Sequence, residues 1–348
     1  MTDAPASFLQ RKNIEISFQR YGIDALSAMA QGLFASLLVG TILNTVGDLT
    51  GLAVIKEVGG FASAMAGPAM ACAIGYALKC PPLVLFSLVT VGYAANTAGG
   101  AGGPLAVLLI AIIAAECGKL VAGETKVDIL VTPVVTIGVG CALALLIGPA
   151  IGAAAMAVGG FIKWATDLQP FLMGVIVAVV MGMALTLPIS SAAICAALGL
   201  TGLAGGAALA GCCCQMVGFA VASYRENGWG GIVSQGIGTS MLQMANIMKK
   251  PVVWLPAIVA SAVDGPVATC LFHLQQNGSA IASGMGTCGL VGPIGLYAGW
   301  VNDGVAIGGF EWLGMALVCF VIPAVVSLAT AEGLRRAGII EQGDLQLQ

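Results

Sequence analysis

Ile129-Leu-Val-Thr-Pro-Val-Val-Thr-Ile-Gly-Val-Gly-Cys-Ala-Leu-Ala-Leu-Leu-Ile-Gly-Pro-Ala150 contains no charged side chain. A helix needs about 20 apolar residues to cross the hydrocarbon core of a bilayer, and this stretch reaches that length. The rest of the chain repeats the pattern. Of its 348 residues 59% are hydrophobic and only 8% charged, with a mean hydropathy of +1.00. A water-soluble surface requires several times that share of charge. The chain therefore reads as all-α, a polytopic bundle of transmembrane helices.

Apolar runs at about 24–45, 59–78, 81–96, 103–121, 129–150, 170–187, 188–202, 204–223, 251–272 and 310–332 predict about ten crossings. Two further apolar segments, 230–247 and 280–301, hold too much glycine and too many polar groups to face lipid. They are predicted to be re-entrant or broken segments enclosed by protein. Residues 1–23 form a cytoplasmic or interfacial segment, with Phe8–Tyr21 expected as an amphipathic helix. Residues 24–332 form a single integral-membrane domain and 333–348 a cytoplasmic tail. With the N-terminus inside, eleven of the thirteen Lys and Arg residues fall on the cytoplasmic side, leaving Lys56 and Lys163 outside. Both termini are thus expected in the cytoplasm, with the protein in the bacterial inner membrane.

Gly75-Tyr-Ala-Leu-Lys-Cys-Pro81 matches Gly182-Met-Ala-Leu-Thr-Leu-Pro188. Each is followed by a short apolar run, a glycine-rich turn and a longer run. This suggests repeat-like units at about 59–121 and 170–223, a feature of duplicated transport folds.

Composition excludes several classes. The net charge of −3 argues against nucleic acid as a partner. Met1–Asn13 lacks the cationic-then-apolar order of a cleaved signal peptide. The eleven cysteines fall largely within apolar runs, with no CxxC pair and no accompanying histidine, so free thiols are expected and neither a metal nor another cofactor. No nucleophile–base grouping points to an enzyme.

Polar residues within apolar runs are the candidates for function, because a carboxylate at membrane depth costs at least about 2.5–3.5 kcal/mol. Glu116 lies within Leu105–Val121, where Lys119 is close enough to pair with it. Asp264 lies within Val252–Phe272 and has no basic neighbour at helical spacing. His273 stands at the end of that run. Glu116, Asp264 and His273 are the candidate coupling or proton-carrying groups, and Asp264 is also a candidate solute contact. The densest polar constellation is Ser234-Gln-Gly-Ile-Gly-Thr-Ser-Met-Leu-Gln-Met-Ala-Asn246, with Gln235, Thr239, Ser240, Gln243 and Asn246 as candidate solute contacts. Carboxamides offer donor and acceptor together, which suits a neutral, hydroxyl-rich ligand. In the second glycine-rich segment, Ser283–Pro293, Thr287 is a candidate contact. Its backbone N–H groups are predicted to form a nest for a carboxylate or phosphate.

Three stretches together carry a family resemblance. They are Ile16-Ser-Phe-Gln-Arg-Tyr-Gly-Ile-Asp-Ala-Leu-Ser-Ala-Met-Ala30, Gly238-Thr-Ser-Met-Leu-Gln243 and Gly284-Met-Gly-Thr-Cys-Gly-Leu-Val291. They resemble the phosphotransferase-system enzyme IIC-like membrane proteins, over nearly the whole chain. Where that family carries Pro-Asn-Ile after the glutamine, this chain has Ala245-Asn246-Ile247. The resemblance implies a homodimeric carrier of a sugar-like solute, with separate IIB and IIA proteins as partners. The expected function is solute transport by alternating access through a mid-membrane polar site. The alternative is a membrane-embedded ligand sensor that regulates gene expression without transport.

Overall fold

The computed structural model describes residues 8–347, and the first seven residues of the expected interfacial segment lie outside them. The described residues form helices and turns, with no strand and one isolated antiparallel bridge between Gly202 and Gln276. Six helical stretches are long and apolar enough to cross a membrane, or seven if the bent pair Ala53–Ala64 and Ala66–Ala77 is one span. This is a multi-pass membrane protein. The stretch Pro82–Val121 counts as one of the six, yet it reverses at Gly100 (φ 50°, ψ −119°). Gly118 near its end lies against Val84 near its start, so the helices Pro82–Gly99 and Gly103–Val121 form an antiparallel hairpin.

The count of about ten crossings differs from these spans for identifiable reasons. The run 188–202 contributes only the eight-residue helix Ser191–Leu198, because Pro188 and the left-handed Gly199 (φ 59°) bound it. Such a helix is far too short to span. Pro170–Thr186, at 17 residues, is apolar but shorter than the others. The amphipathic helix expected over Phe8–Tyr21 is not continuous. Phe8–Arg11 is a single turn, Asn13 is left-handed (φ 53°), and helix resumes only beyond Ser17. Phe8, Leu9, Ile16 and Phe18 are exposed there.

The chain divides into two compact units. One comprises the chain up to Leu37 together with Ala64–Gly152; the other comprises Leu38–Ser63 and everything from Ala153 onward. The two sequence-matched segments fall in different units.

In the first unit, Ala25–Leu33, Ala66–Ala77 and the Pro82–Val121 hairpin pack together. Gly67 and Gly92 meet backbone to backbone, which brings Ala66–Ala77 and Pro82–Gly99 into close contact. Small residues drive such approach where lipid removes the hydrophobic drive between helices. The chain from Asn13 to Arg20 is tied to this unit by cations. The Lys119 ammonium, 1% exposed, donates to the carbonyls of Asn13 (3.0 Å) and Leu78 (3.3 Å), and the Arg20 guanidinium donates to Leu78 O at 2.7 Å.

The second unit is organised around Gly202–Ala222, which is buried along most of its length. Pro170–Thr186, Leu255–Pro266 and Ile322–Arg336 pack around it. A Cβ on Gly211 would collide with the carbonyl of Ala178. Gly211→Val is accordingly expected to destabilise the protein by at least about 1–3 kcal/mol. That would be read as a lowered unfolding temperature in detergent. Gly60→Val, where a Cβ meets open space, should leave it unchanged.

Candidate functional site

Three consecutive side chains of the buried central helix organise the polar interior of the second unit. Successive residues on a helix point about 100° apart, so Cys214, Gln215 and Met216 reach three different neighbours. Cys214 Sγ donates to Asp264 Oδ2 at 3.4 Å. Gln215 Oε1 accepts from Thr186 Oγ1 at 3.0 Å and from Trp254 Nε1 at 2.7 Å. Met216 Sδ lies 3.7 Å from Thr287 Oγ1.

Each branch places a sequence-predicted residue. Ser240 Oγ sits 2.8 Å from Thr186 Oγ1, so Ser240 joins the Gln215 branch. Thr287 Oγ1 donates to Gly236 O, tying the Ser283–Pro293 segment to the 230–247 segment. Asp264 is fully buried, and its Oδ1 has no hydrogen-bond partner among the described residues. The helix beyond it is disturbed at Pro266, where a backbone donor is missing and a widened turn follows over Val267–Leu271. Gln215 Nε2 is likewise buried and unpartnered. Two buried polar atoms therefore have unused hydrogen-bonding capacity, and both belong to adjacent branches from one helix. Buried polar groups are ordinarily paired, and an exception calls for an explanation.

A second feature is a chain of carboxamides. Gln235 Nε2 donates to Ser223 Oγ (2.8 Å), Gln243 Nε2 to Gln235 Oε1 (2.8 Å), and Asn246 Nδ2 to Gln243 Oε1 (2.8 Å). The segment 230–247 can fold this way because it is broken. A widened turn covers Ser234–Gly238, Thr239 is extended, and a tight turn covers Ser240–Gln243. Thr239 serves that break locally, its Oγ1 accepting from Met241 N at 3.1 Å. The far end of the carboxamide chain holds backbone of Leu345 and Gln346, the segment that follows the last helix.

The remaining predicted residues lie elsewhere. Glu116 belongs to the first unit, where Oε2 pairs with Lys119 Nζ at 2.7 Å and Oε1 accepts from Tyr21 OH at 3.1 Å. Truncating Lys119 to Met would strand this carboxylate at a cost on the order of 3–5 kcal/mol. Adding Glu116→Gln should recover most of that loss in detergent unfolding. His273 is exposed and left-handed (φ 45°), at the edge of a cavity of about 230 Å³ shared with Trp300, Asp303 and Glu311. That cavity shares no lining residue with the groups above. Part of the expected N–H nest at Ser283–Pro293 is already engaged. The amides of Gly284, Met285, Cys288, Leu290 and Gly292 already donate to nearby carbonyls. The left-handed Gly286, Gly289 and Leu290 turn the chain tightly enough to close these bonds. All eleven cysteines are free.

Among the contributors that escaped the sequence reading are Thr186, Gln215, Ser223 and Trp254. Gln215 gave a usable signal, as a carboxamide in the middle of an apolar run, but the Cys212–Cys214 triplet beside it reads as plain core.

One titration outside the spans can be stated. Partial burial works against ionisation of Asp344. The hydrogen bonds from Lys250 and from the Glu341 backbone N–H outweigh it, helped by the charges of Lys250 and Arg335, and hold its carboxyl below the usual range. An aspartate with a lowered folded value contributes stability above its unfolded pKa of about 4. That contribution disappears as pH falls through the lowered value. Amide protection at Gln346 and Leu347 should thus be constant from pH 8 to about 5 and decline below about 4.

Buried polar side chains gathered inside a multi-pass helical bundle are a feature of membrane transport components, where such groups line solute and ion paths. The family model described as phosphotransferase system, EIIC, matches residues 23–347, and the chain belongs to that family. It is a phosphotransferase-type membrane translocation component. No curated protein and no solved structure matches it.

Proposed function

We propose that this chain moves a sugar-like, hydroxyl-rich solute by alternating access, binding it beside Gln215 in the second unit. The observation that carries this reading is the Gln215 carboxamide. It is fully buried, with its oxygen held by Thr186 and Trp254 and its Nε2 free to donate. A sugar hydroxyl is both donor and acceptor, and a fixed carboxamide edge with neighbouring hydroxyls of Thr186 and Ser240 complements it. Trp254 adds an apolar face of the kind that packs on a sugar ring. Gln243, Asn246 and Thr287 are further contacts along the path. Asp264, with an oxygen to spare, is the group that orients the solute or carries the coupling ion. Both termini on the cytoplasmic side of a bacterial inner membrane, and a homodimer, complete the proposal.

Family membership makes IIB and IIA proteins the natural phosphate donors. The test supplies membrane vesicles containing the chain with a panel of sugars and polyols, with and without a IIB partner and phosphoenolpyruvate. Phosphorylated product that requires chain, partner and phosphoenolpyruvate together supports the reading. Solute accumulation without phosphorylation would replace it with secondary transport, and neither result with any solute would defeat both.

A further inference from the structure

The segment after the last helix folds back onto the carboxamide chain. Gly338 (φ 68°) and Gly343 (φ 98°) make the turns that return it. Ile340 is 2% exposed and Leu345 fully buried, so the segment has apolar anchors. Leu345 O accepts from Gln243 Nε2 at 2.9 Å and from Asn227 Nδ2 at 2.8 Å. Gln346 O accepts from Asn246 Nδ2 at 2.9 Å, and Leu347 N donates to Asn227 Oδ1 at 2.8 Å. Asp344 pairs with Lys250 at 2.6 Å.

The chemistry of these contacts is specific. Asn227 presents donor and acceptor to one peptide backbone, as a neighbouring strand would. Gln243 and Asn246 add donors to consecutive carbonyls. One acidic side chain meets Lys250, and one leucine is enclosed. This is recognition of a peptide rather than of a side-chain surface. A cavity of about 440 Å³, lined by Asn246, Lys249 and Lys250 with Asp344 and Leu347, adjoins the segment. The segment therefore does not fill all the space at this end.

We propose that Asn227, Gln243, Asn246 and Lys250 form a docking site for a leucine-anchored acidic peptide, occupied here by the chain's own Asp344–Leu347. The docked segment is a displaceable cover over the end of the carboxamide chain. Local opening of such a short non-helical segment needs less free energy than global unfolding, so it can exchange while the bundle stays folded. Tethering keeps the segment at high effective concentration, which makes the covered state the resting one. The consequence for solute access rests on the transport reading above; the docking does not.

The test uses full-length protein in lipid nanodiscs with no solute present, so it stands or falls separately from transport. Asn246→Cys is labelled with a water-soluble maleimide, resolved by peptide mass spectrometry, alone and together with Leu345→Asp. Hydrogen exchange is followed over residues 339–347 and 202–222. The expected result is protection of Gln346 and Leu347 in the unmodified chain. Leu345→Asp should speed labelling by about ten-fold or more while 202–222 stays protected. Equal labelling in both backgrounds, or peptide-like exchange of 344–347 in the unmodified chain, would overturn the proposal. Should Leu345→Asp also unprotect 202–222, Asn227→Ala, which removes two contacts without adding charge, is read by the same criteria.

Discussion

Replacing Gln215 by Leu is expected to raise the solute concentration for half-maximal uptake by about ten- to a hundred-fold. The change removes the free Nε2 donor and also the acceptor of Thr186 and Trp254. Each buried donor left without its partner costs about 1–3 kcal/mol, which brackets that range in affinity. Gln215→Glu separates the two effects. It keeps an oxygen for Thr186 and Trp254 and replaces the amide donor by a second carboxyl oxygen, at the added cost of an acid at membrane depth. If the donor is what meets the solute, the Glu variant fails in uptake as the Leu variant does, while its Trp254 fluorescence remains native. Uptake retained by Gln215→Glu would reduce Gln215 to a structural brace for Trp254.

Asp264→Asn should show the opposite pairing of effects: a more stable protein that does not transport. The carboxylate is fully buried, has Cys214 as its one hydrogen-bond donor and leaves Oδ1 unpaired. Keeping an ionisable acid at membrane depth costs at least about 2.5–3.5 kcal/mol. Removing it at nearly constant shape should therefore raise the unfolding temperature in detergent. Uptake at equal membrane abundance should fall by about a hundred-fold, the pattern expected where a destabilising group is retained for function. A variant that is less stable and still transports would make Asp264 a packing residue. The pairing matters because a merely disruptive substitution lowers both quantities.

Much of the fold was legible because lipid imposes a length and a composition on every spanning helix. The hairpin of Pro82–Gly99 and Gly103–Val121 matches the runs 81–96 and 103–121, separated by the glycines that form its turn. The short helix Ser191–Leu198 was not legible as such, since an apolar run says nothing of whether Pro188 and Gly199 will cut it short. The break at Asn13 was not legible, and Arg20 Nη1, seven residues on, donates to the Asn13 side chain there at 3.1 Å.

The candidate site divides similarly. Gln235, Gln243 and Asn246 are close in sequence, and the structure joins them into one chain. Glu116 and Lys119 sit one helical turn apart, so their pairing was foreseeable. Gln215 meets Thr186 and Trp254 from elements about 30 to 40 residues away, a meeting that periodicity cannot reveal. The docking of Leu345 and Gln346 on Gln243 and Asn246 spans about a hundred residues, and a polar tail gives no sign of its partner.

The most direct measurement is a metabolite profile of the medium around cells expressing this chain, compared with cells expressing Gln215→Leu or Asp264→Asn at equal membrane abundance. Selective depletion of one hydroxyl-rich compound class by the unmodified chain, lost in both variants, is the predicted result. Identical profiles from all three, in rich and defined media with a IIB partner supplied, would contradict transport through this site.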